Sequence, residues 1–246
     1  MQTWNKLLEI RKQRGAGYIV LIDPDKLSLE DNIRLAVQAE NEDADCIFIG
    51  GSLLKIPFFD ELVKQIKSVV DIPVVIFPGG IQQISRYADA ILFMSVISGR
   101  NADLLIGQHV IAAPIIKMIN LEAIPTGYML IESGRMTSAE FMSNTKPIPR
   151  DKPDIAVAHA LAAEYLGMKL VYLEAGSGAI HPVSDEMIRA VARTSNLPVI
   201  VGGGITTPEI AYQKVAAGAS FIVTGNVLEK EPGDGLIQNF AKAIHQ

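Results

Sequence analysis

The chain has a single cysteine, Cys46, among its 246 residues. That excludes an internal disulfide and any multi-cysteine metal centre, and it fits a reducing compartment. Positive charge is scarce as well: 22 Lys and Arg stand against 27 Asp and Glu, for a formal net charge of −5. No Lys/Arg cluster interrupts the pattern, so nucleic acid, whose backbone demands a basic footprint, is not an expected partner. No apolar run approaches the roughly 20 residues that a membrane-spanning helix requires. The opening segment, MQTWNKLLEIRKQRGAG, has no apolar core of the signal-peptide kind. A cytoplasmic setting is therefore expected. Three catalytic signatures are also missing: HExxH, a nucleophile elbow, and GxGxxG followed by an acid. Without them there is no motif-based case for zinc or a dinucleotide.

Apolar residues, by contrast, are plentiful. They make up 49% of the chain against 20% charged, and the mean hydropathy is +0.26. The surplus suits a large core, a subunit interface or a greasy substrate groove. Short β-branched runs recur at 18–22, 45–49, 73–77, 90–94, 127–131, 170–174, 198–202 and 221–224, with helical patterns between them. Continuous apolar strands in alternation with helices, in this length, predict one α/β domain over 1–246, a closed (β/α)8 TIM barrel. An open doubly wound sheet is the competing arrangement. Ser28, Ser184 and Thr207-Pro208 supply helix starts, and Gly218 supplies a stop. Between the third and fourth strands there is room only for a stunted helix around 81–88. After the fifth strand runs a long, polar, proline-bearing connection over 132–153, and loops of that length are usually functional or disordered.

Ligands of such barrels bind where strands give way to loops at their C-terminal ends. Those positions read DPDK (23–26), GGSLLK (50–55), PGG (78–80), SVISGRN (95–101), ESGR (132–135), EAGSG (174–178), GGGI (202–205) and GN (225–226). Gly203 and Gly204 after the seventh strand, with Gly225 and Asn226 after the eighth, offer backbone N–H groups and helix N-termini to a phosphate. Tight turns are the plainer account of these glycines. Tyr172 and Glu174 are two apart and share one side of their strand. Glu174 is thus a candidate to accept a substrate proton, with Ser177 and Gly178 as further donors; a solvated rim carboxylate is the alternative. Carboxylates near phosphate call for a cation, and Asp23 with Ser52 makes a sparse Mg2+ site. Asp25 reads as a turn or helix-entry residue, and Lys26, Lys55 and Arg100 as surface charges. His109 and His159 lie on apolar helix patterns that suit packing, whereas His181 falls near the mouth. Phe58, Phe59, Phe77, Phe93 and Met94 read as core, with some placed to wall an apolar groove.

Taken in order, LIDPDK, IFIGGS, FPGGI, SVISGRNAD, YLEAGSGA, IVGGGI and VTGN resemble the geranylgeranylglyceryl phosphate synthase family and its bacterial heptaprenylglyceryl phosphate synthase relatives. The resemblance implies a Mg2+-dependent prenyltransferase on a (β/α)8 barrel. Such an enzyme joins the 3-hydroxyl of sn-glycerol 1-phosphate to a polyprenyl diphosphate, here geranylgeranyl, in ether phospholipid biosynthesis. It also implies roles by position: Asp23 and Ser52 for the metal, and Glu174 and Asp23 for catalysis. The glycerol phosphate contacts then fall on Tyr172, Leu173, Glu174, Ala175, Gly176, Ser177, Gly178, Gly203, Gly204, Gly225 and Asn226. Leu21 departs from relatives that carry lysine there, which shifts phosphate recognition onto the last two loops. The long 132–153 connection resembles the subgroup that forms dimers or hexamers, so a homo-oligomer with brief membrane contact for product release is implied. Two other functions stay open on the residues alone: an isomerase or lyase acting on a sugar phosphate, and a non-catalytic phospholigand-binding barrel.

Overall fold

Period-two alternation divides the side chains of each strand between two layers, and here both layers are buried. The computed structural model describes residues 2–230 and 235–245. Its strands are β1 (Gly17–Ile22), β2 (Cys46–Ile49), β3 (Val74–Ile76), β4 (Ala90–Val96), β5 (Glu122–Leu130), β6 (Leu170–Glu174), β7 (Val199–Gly202) and β8 (Phe221–Thr224). They pair in parallel in chain order, and β8 returns to β1 to close the sheet. That excludes the open doubly wound alternative. Ile19, Phe48, Val75, Leu92, Tyr172 and Phe221 pack together inside the barrel. Their strand neighbours, such as Val20, Ile47, Leu173 and Ile222, pack in the layer between sheet and helices.

The helices are α1 (Thr3–Arg14), α2 (Leu29–Asn41), α3 (Phe59–Val69), α4 (Gln108–Met118), α5 (Ser138–Ser143), α6 (Pro153–Tyr165), α7 (Asp185–Thr194), α8 (Pro208–Ala217), α9 (Asn226–Lys230) and α10 (Leu236–Ile244). Ser28, Ser184 and Thr207 cap α2, α7 and α8 by accepting the N–H of Asp31, Met187 and Ile210, and Gly218 ends α8 in the left-handed region. Helix α1, not anticipated from the sequence, lies across the N-terminal end of the barrel. The Glu122 carboxylate accepts its first free N–H groups, Thr3 at 2.6 Å and Trp4 at 3.2 Å, and Trp4 and Leu7 join the interior cluster.

Two segments differ from expectation. Strand β5 begins at Glu122 rather than near 127, because Pro125, which looks like a breaker, sits inside a strand paired with β4 from Ala90↔Glu122 onward. Between β3 and β4 there is no stunted helix. Pro78-Gly79-Gly80 opens a run of turns, and buried Gln83 ties that run to the β2 loop. Its amide donates to Gly51 O at 2.7 Å and accepts from the N–H of Gly51 and Gly79. The long connection after β5 is ordered. It contains α5, capped by Thr137 and ended by Asn144 in the left-handed region.

Candidate active site

Glu174 ends β6 level with Leu130 of β5 and Gly202 of β7, pointing inward with Tyr172. It is only 6% exposed, and its Oε1 accepts the Gly176 N–H at 2.6 Å. Burial lifts its pKa to about 7, against the opposing pull of that N–H. The carboxyl is therefore poised to exchange a proton near neutrality. Beside it the Tyr172 hydroxyl is buried with no hydrogen-bond partner among the described residues. Burial and the neighbouring carboxylate hold that phenol well above its usual range. A buried hydroxyl left unpaired at the wall of a cavity is a group that a ligand can satisfy. Below it, Phe77 stacks on Tyr172 at 5.3 Å and Tyr128 stands 5.4 Å away, a rigid aromatic floor.

The same cavity brings together Asp23, Ser52, Ser177, Gly178 and the loops after β7 and β8. Gly203 is at φ +82, and a methyl there would fall 2.5 Å from both Glu174 Oε1 and the Gly176 nitrogen. Only glycine permits that close approach of the β6 and β7 loops. Asn226 and Val227 begin α9, directing a helix N-terminus at the cavity, and Ser177 Oγ donates to Asn226 Oδ1 at 2.9 Å. Two residues named from the sequence stand apart. Leu173 and Ala175 turn their side chains into the outer layer and line no part of the cavity, so only their backbone is available to a ligand.

Asp23 follows β1, between the loops after β2 and β8. Burial raises its pKa, and the Asp25 N–H, donating to Oδ1 at 3.1 Å, works against that rise. A methyl on Gly51 would fall 3.1–3.3 Å from its carboxyl atoms, so Asp23 abuts the loop that carries Ser52. Among the described residues no three His, Cys, Asp or Glu side chains gather as ligands. Any metal here would rest on few protein oxygens.

Asp25 has a different task. Its carboxylate accepts the Lys55 N–H at 2.8 and 3.1 Å and the Ile56 N–H at 3.0 Å, clasping the β2 loop to the β1 loop. Asp25→Ala is expected to speed hydrogen exchange at the Lys55 and Ile56 amides by at least about tenfold, the loss of a charge-assisted bond. Exchange at wild-type rates would show that the clasp contributes nothing.

A second, apolar cavity adjoins the first. It lies against Ile91 and Phe93 of β4, Ala112 and Ile116 of α4, and Ile81 and Ile84 of the helix-free segment. Gly51, Ser52, Phe77, Tyr128 and Ala139 border both cavities. His109, read from the sequence as a packing residue, is buried in this wall. Its Nε2 is 3.3 Å from Ser95 Oγ, its ring meets Phe93 edge-on, and burial lowers its pKa. His159 is on the α6 surface against Ile155 O. Lys26, Lys55 and Arg100 are exposed and line neither cavity.

Comparison with known proteins agrees with this geometry. Residues 8–244 match the model of the PcrB family. Geranylgeranylglyceryl phosphate synthase of Chitinophaga pinensis is 52% identical over 236 residues, 96% of this chain and 93% of that protein. The protein of the same name from Korarchaeum cryptofilum is 44% identical over 90% of this chain and 91% of its own length. Among solved structures, (S)-3-O-geranylgeranylglyceryl phosphate synthase from Thermoplasma acidophilum in complex with sn-glycerol-1-phosphate superposes with a TM-score of 0.94. It is 35% identical and covers 100% of this chain and 99% of its own.

Proposed function

The chain belongs to the PcrB family, and on that premise we propose that its barrel mouth couples two phosphorylated substrates. The protein is a prenyltransferase. The 3-hydroxyl oxygen of sn-glycerol 1-phosphate attacks the allylic carbon of a polyprenyl diphosphate, taken here as geranylgeranyl diphosphate. The carbon–oxygen bond to diphosphate breaks, an ether forms, and inorganic diphosphate leaves. The observation that carries this reading is the shared border of a polar and an apolar cavity at Ser52, Phe77 and Tyr128. One molecule needs a cradle for phosphate and a base for its hydroxyl. The other needs an apolar slot, in which burial contributes about 0.8 kcal/mol per CH2. A small sugar phosphate would have no use for that slot, which disfavours an isomerase or lyase.

In this reading the Gly203-Gly204 and Gly225-Asn226 amides hold the phosphate of glycerol phosphate. Its hydroxyls meet the unpaired Tyr172 hydroxyl and Glu174, and Glu174 takes the proton as the ether bond forms. Asp23 and Ser52 are the residues that would hold Mg2+. Both offer hard oxygen donors, burial already strains the Asp23 charge, and their small number leaves positions for substrate oxygens. When bound, Mg2+ offsets charge that builds on the departing diphosphate.

The enzyme is taken to work in the cytoplasm in ether phospholipid biosynthesis, as a homo-oligomer that touches the membrane only to release product. Exposed Val110, Met118, Tyr165 and Leu166 favour association, which sedimentation of the purified chain measures. Among the described residues no helix is long and apolar enough to cross a membrane. Incubation with labelled sn-glycerol 1-phosphate, Mg2+ and prenyl diphosphates of several lengths tests the activity. Absence of an ether product with every length would refute it.

A further inference from the structure

The polar cavity has an electrostatic deficit. Asp23 and Glu174 line it, and among the described residues no Lys, Arg or His does. A phosphate dianion placed there shares the cavity with those carboxylates, and the described lining offers backbone N–H groups and the neutral side chains of Ser177, Thr206 and Asn226 but no formal positive charge. Yet a cation stands at the cradle's edge. A methyl built on Gly178 would fall 2.6 Å from Arg135 Nη2 and 3.4 Å from its Cζ, with the Asn226 amide nitrogen 3.9 Å from the same point. The guanidinium, Gly178 and Asn226 therefore converge on one spot. Gly178, at φ +70, is the residue whose missing side chain leaves room for the guanidinium.

The backbone fixes this position. Ser133 O accepts the N–H groups of Ile180 and His181, both at 3.1 Å, joining the connection after β5 to the loop after β6. Gly134 then turns the chain at φ +85, and Ser133 Oγ donates to Arg135 O at 3.3 Å. The Arg135 side chain itself makes no hydrogen bond or ion pair among the described residues. Its fork of donors is open, and that fork matches two phosphate oxygens at once.

We propose that Arg135 is a further substrate-binding residue, which reaches over Gly178 to grip the phosphate of the glycerol phosphate from the solvent side. The inference rests on the reading of the site given above. Arg135→Ala is expected to raise KM for sn-glycerol 1-phosphate about 10- to 100-fold, the range for a lost charge-assisted contact. Its kcat, and KM for the prenyl diphosphate, should stay within about threefold, and Arg135→Lys should recover part of the loss. Calorimetry with sn-glycerol 1-phosphate alone separates the two levels of inference. If wild-type protein fails to bind it, the reading of the whole site falls. If wild type binds it and Arg135→Ala and Arg135→Gln bind it equally well, Arg135 alone is removed. A KM rise confined to the prenyl diphosphate likewise overturns the assignment.

Discussion

Glu174→Gln should lower kcat by about 10²- to 10⁴-fold, the usual contribution of a positioned general base, while both substrates still bind with affinities within about threefold. The amide keeps the shape and can still face a substrate hydroxyl, but it takes no proton. Because burial sets the carboxyl at about pH 7, kcat/KM of the wild-type enzyme should climb with pH through that value and then level off. The variant's residual rate should lose this limb. Stability makes an independent check. An unfolded glutamate titrates near 4.3, whereas the folded one titrates at about 7, so the folded state holds its proton more tightly between those values. The associated stability is complete below about pH 4 and is lost as pH rises through 7, on the order of 3 kcal/mol for the span. Glu174→Gln should accordingly raise Tm at pH 8 and change it little at pH 4. Full turnover in the variant would remove Glu174 from the chemistry.

Asp23→Asn should raise the Mg2+ concentration needed for half-maximal activity about 10- to 100-fold, with a parallel rise in KM for the prenyl diphosphate. The reason is local: the aspartate follows β1 and abuts the Ser52 loop, three strands round the barrel from Glu174 on β6. Removing its charge leaves two neutral oxygen donors, the new amide carbonyl and the Ser52 hydroxyl. KM for glycerol phosphate should rise less than that, because the amides proposed to bind it belong to the loops after β7 and β8 and stay in place. Stability should not fall, since the carboxyl is raised by burial and loses a desolvation cost when it becomes an amide. An unaltered Mg2+ titration would refute the ligand role. Together the two variants divide the mouth into a half that moves a proton and a half that receives diphosphate.

Much of this layout was legible in the amino-acid order because barrel strands are unbroken apolar runs whose polar ends stand out. The bounds expected for β6 and β8 match those observed, 170–174 and 221–224. The start of strand β5 was obscured by Pro125, which lowers strand propensity locally but is overruled by pairing with β4. Helix α1 went unseen because its placement depends on a carboxylate 119 residues away. The site divides in the same way. Asp23, Glu174 and the loop glycines occupy strand ends, where position alone reveals them. Arg135 sits in an aperiodic polar connection, and only the folded turn at Ser133 and Gly134 delivers it to Gly178. Gln83 was hidden for the same reason. The clasp of Asp25 could be read as a turn role but not as a bond to amides 30 and 31 residues later.

The missing helix between β3 and β4 has an evolutionary consequence. The slot it leaves open runs from inward-facing Phe77, Leu92 and Tyr128 out to Ile91, Phe93 and α4, so its outer end can be deepened or blocked without repacking the barrel interior. Changes at Ala112 or Ile116 lie in a layer separate from Glu174 and the glycine loops, and distant, unshared positions vary almost independently. Tail length and bond-forming chemistry can thus drift along separate paths on a single scaffold.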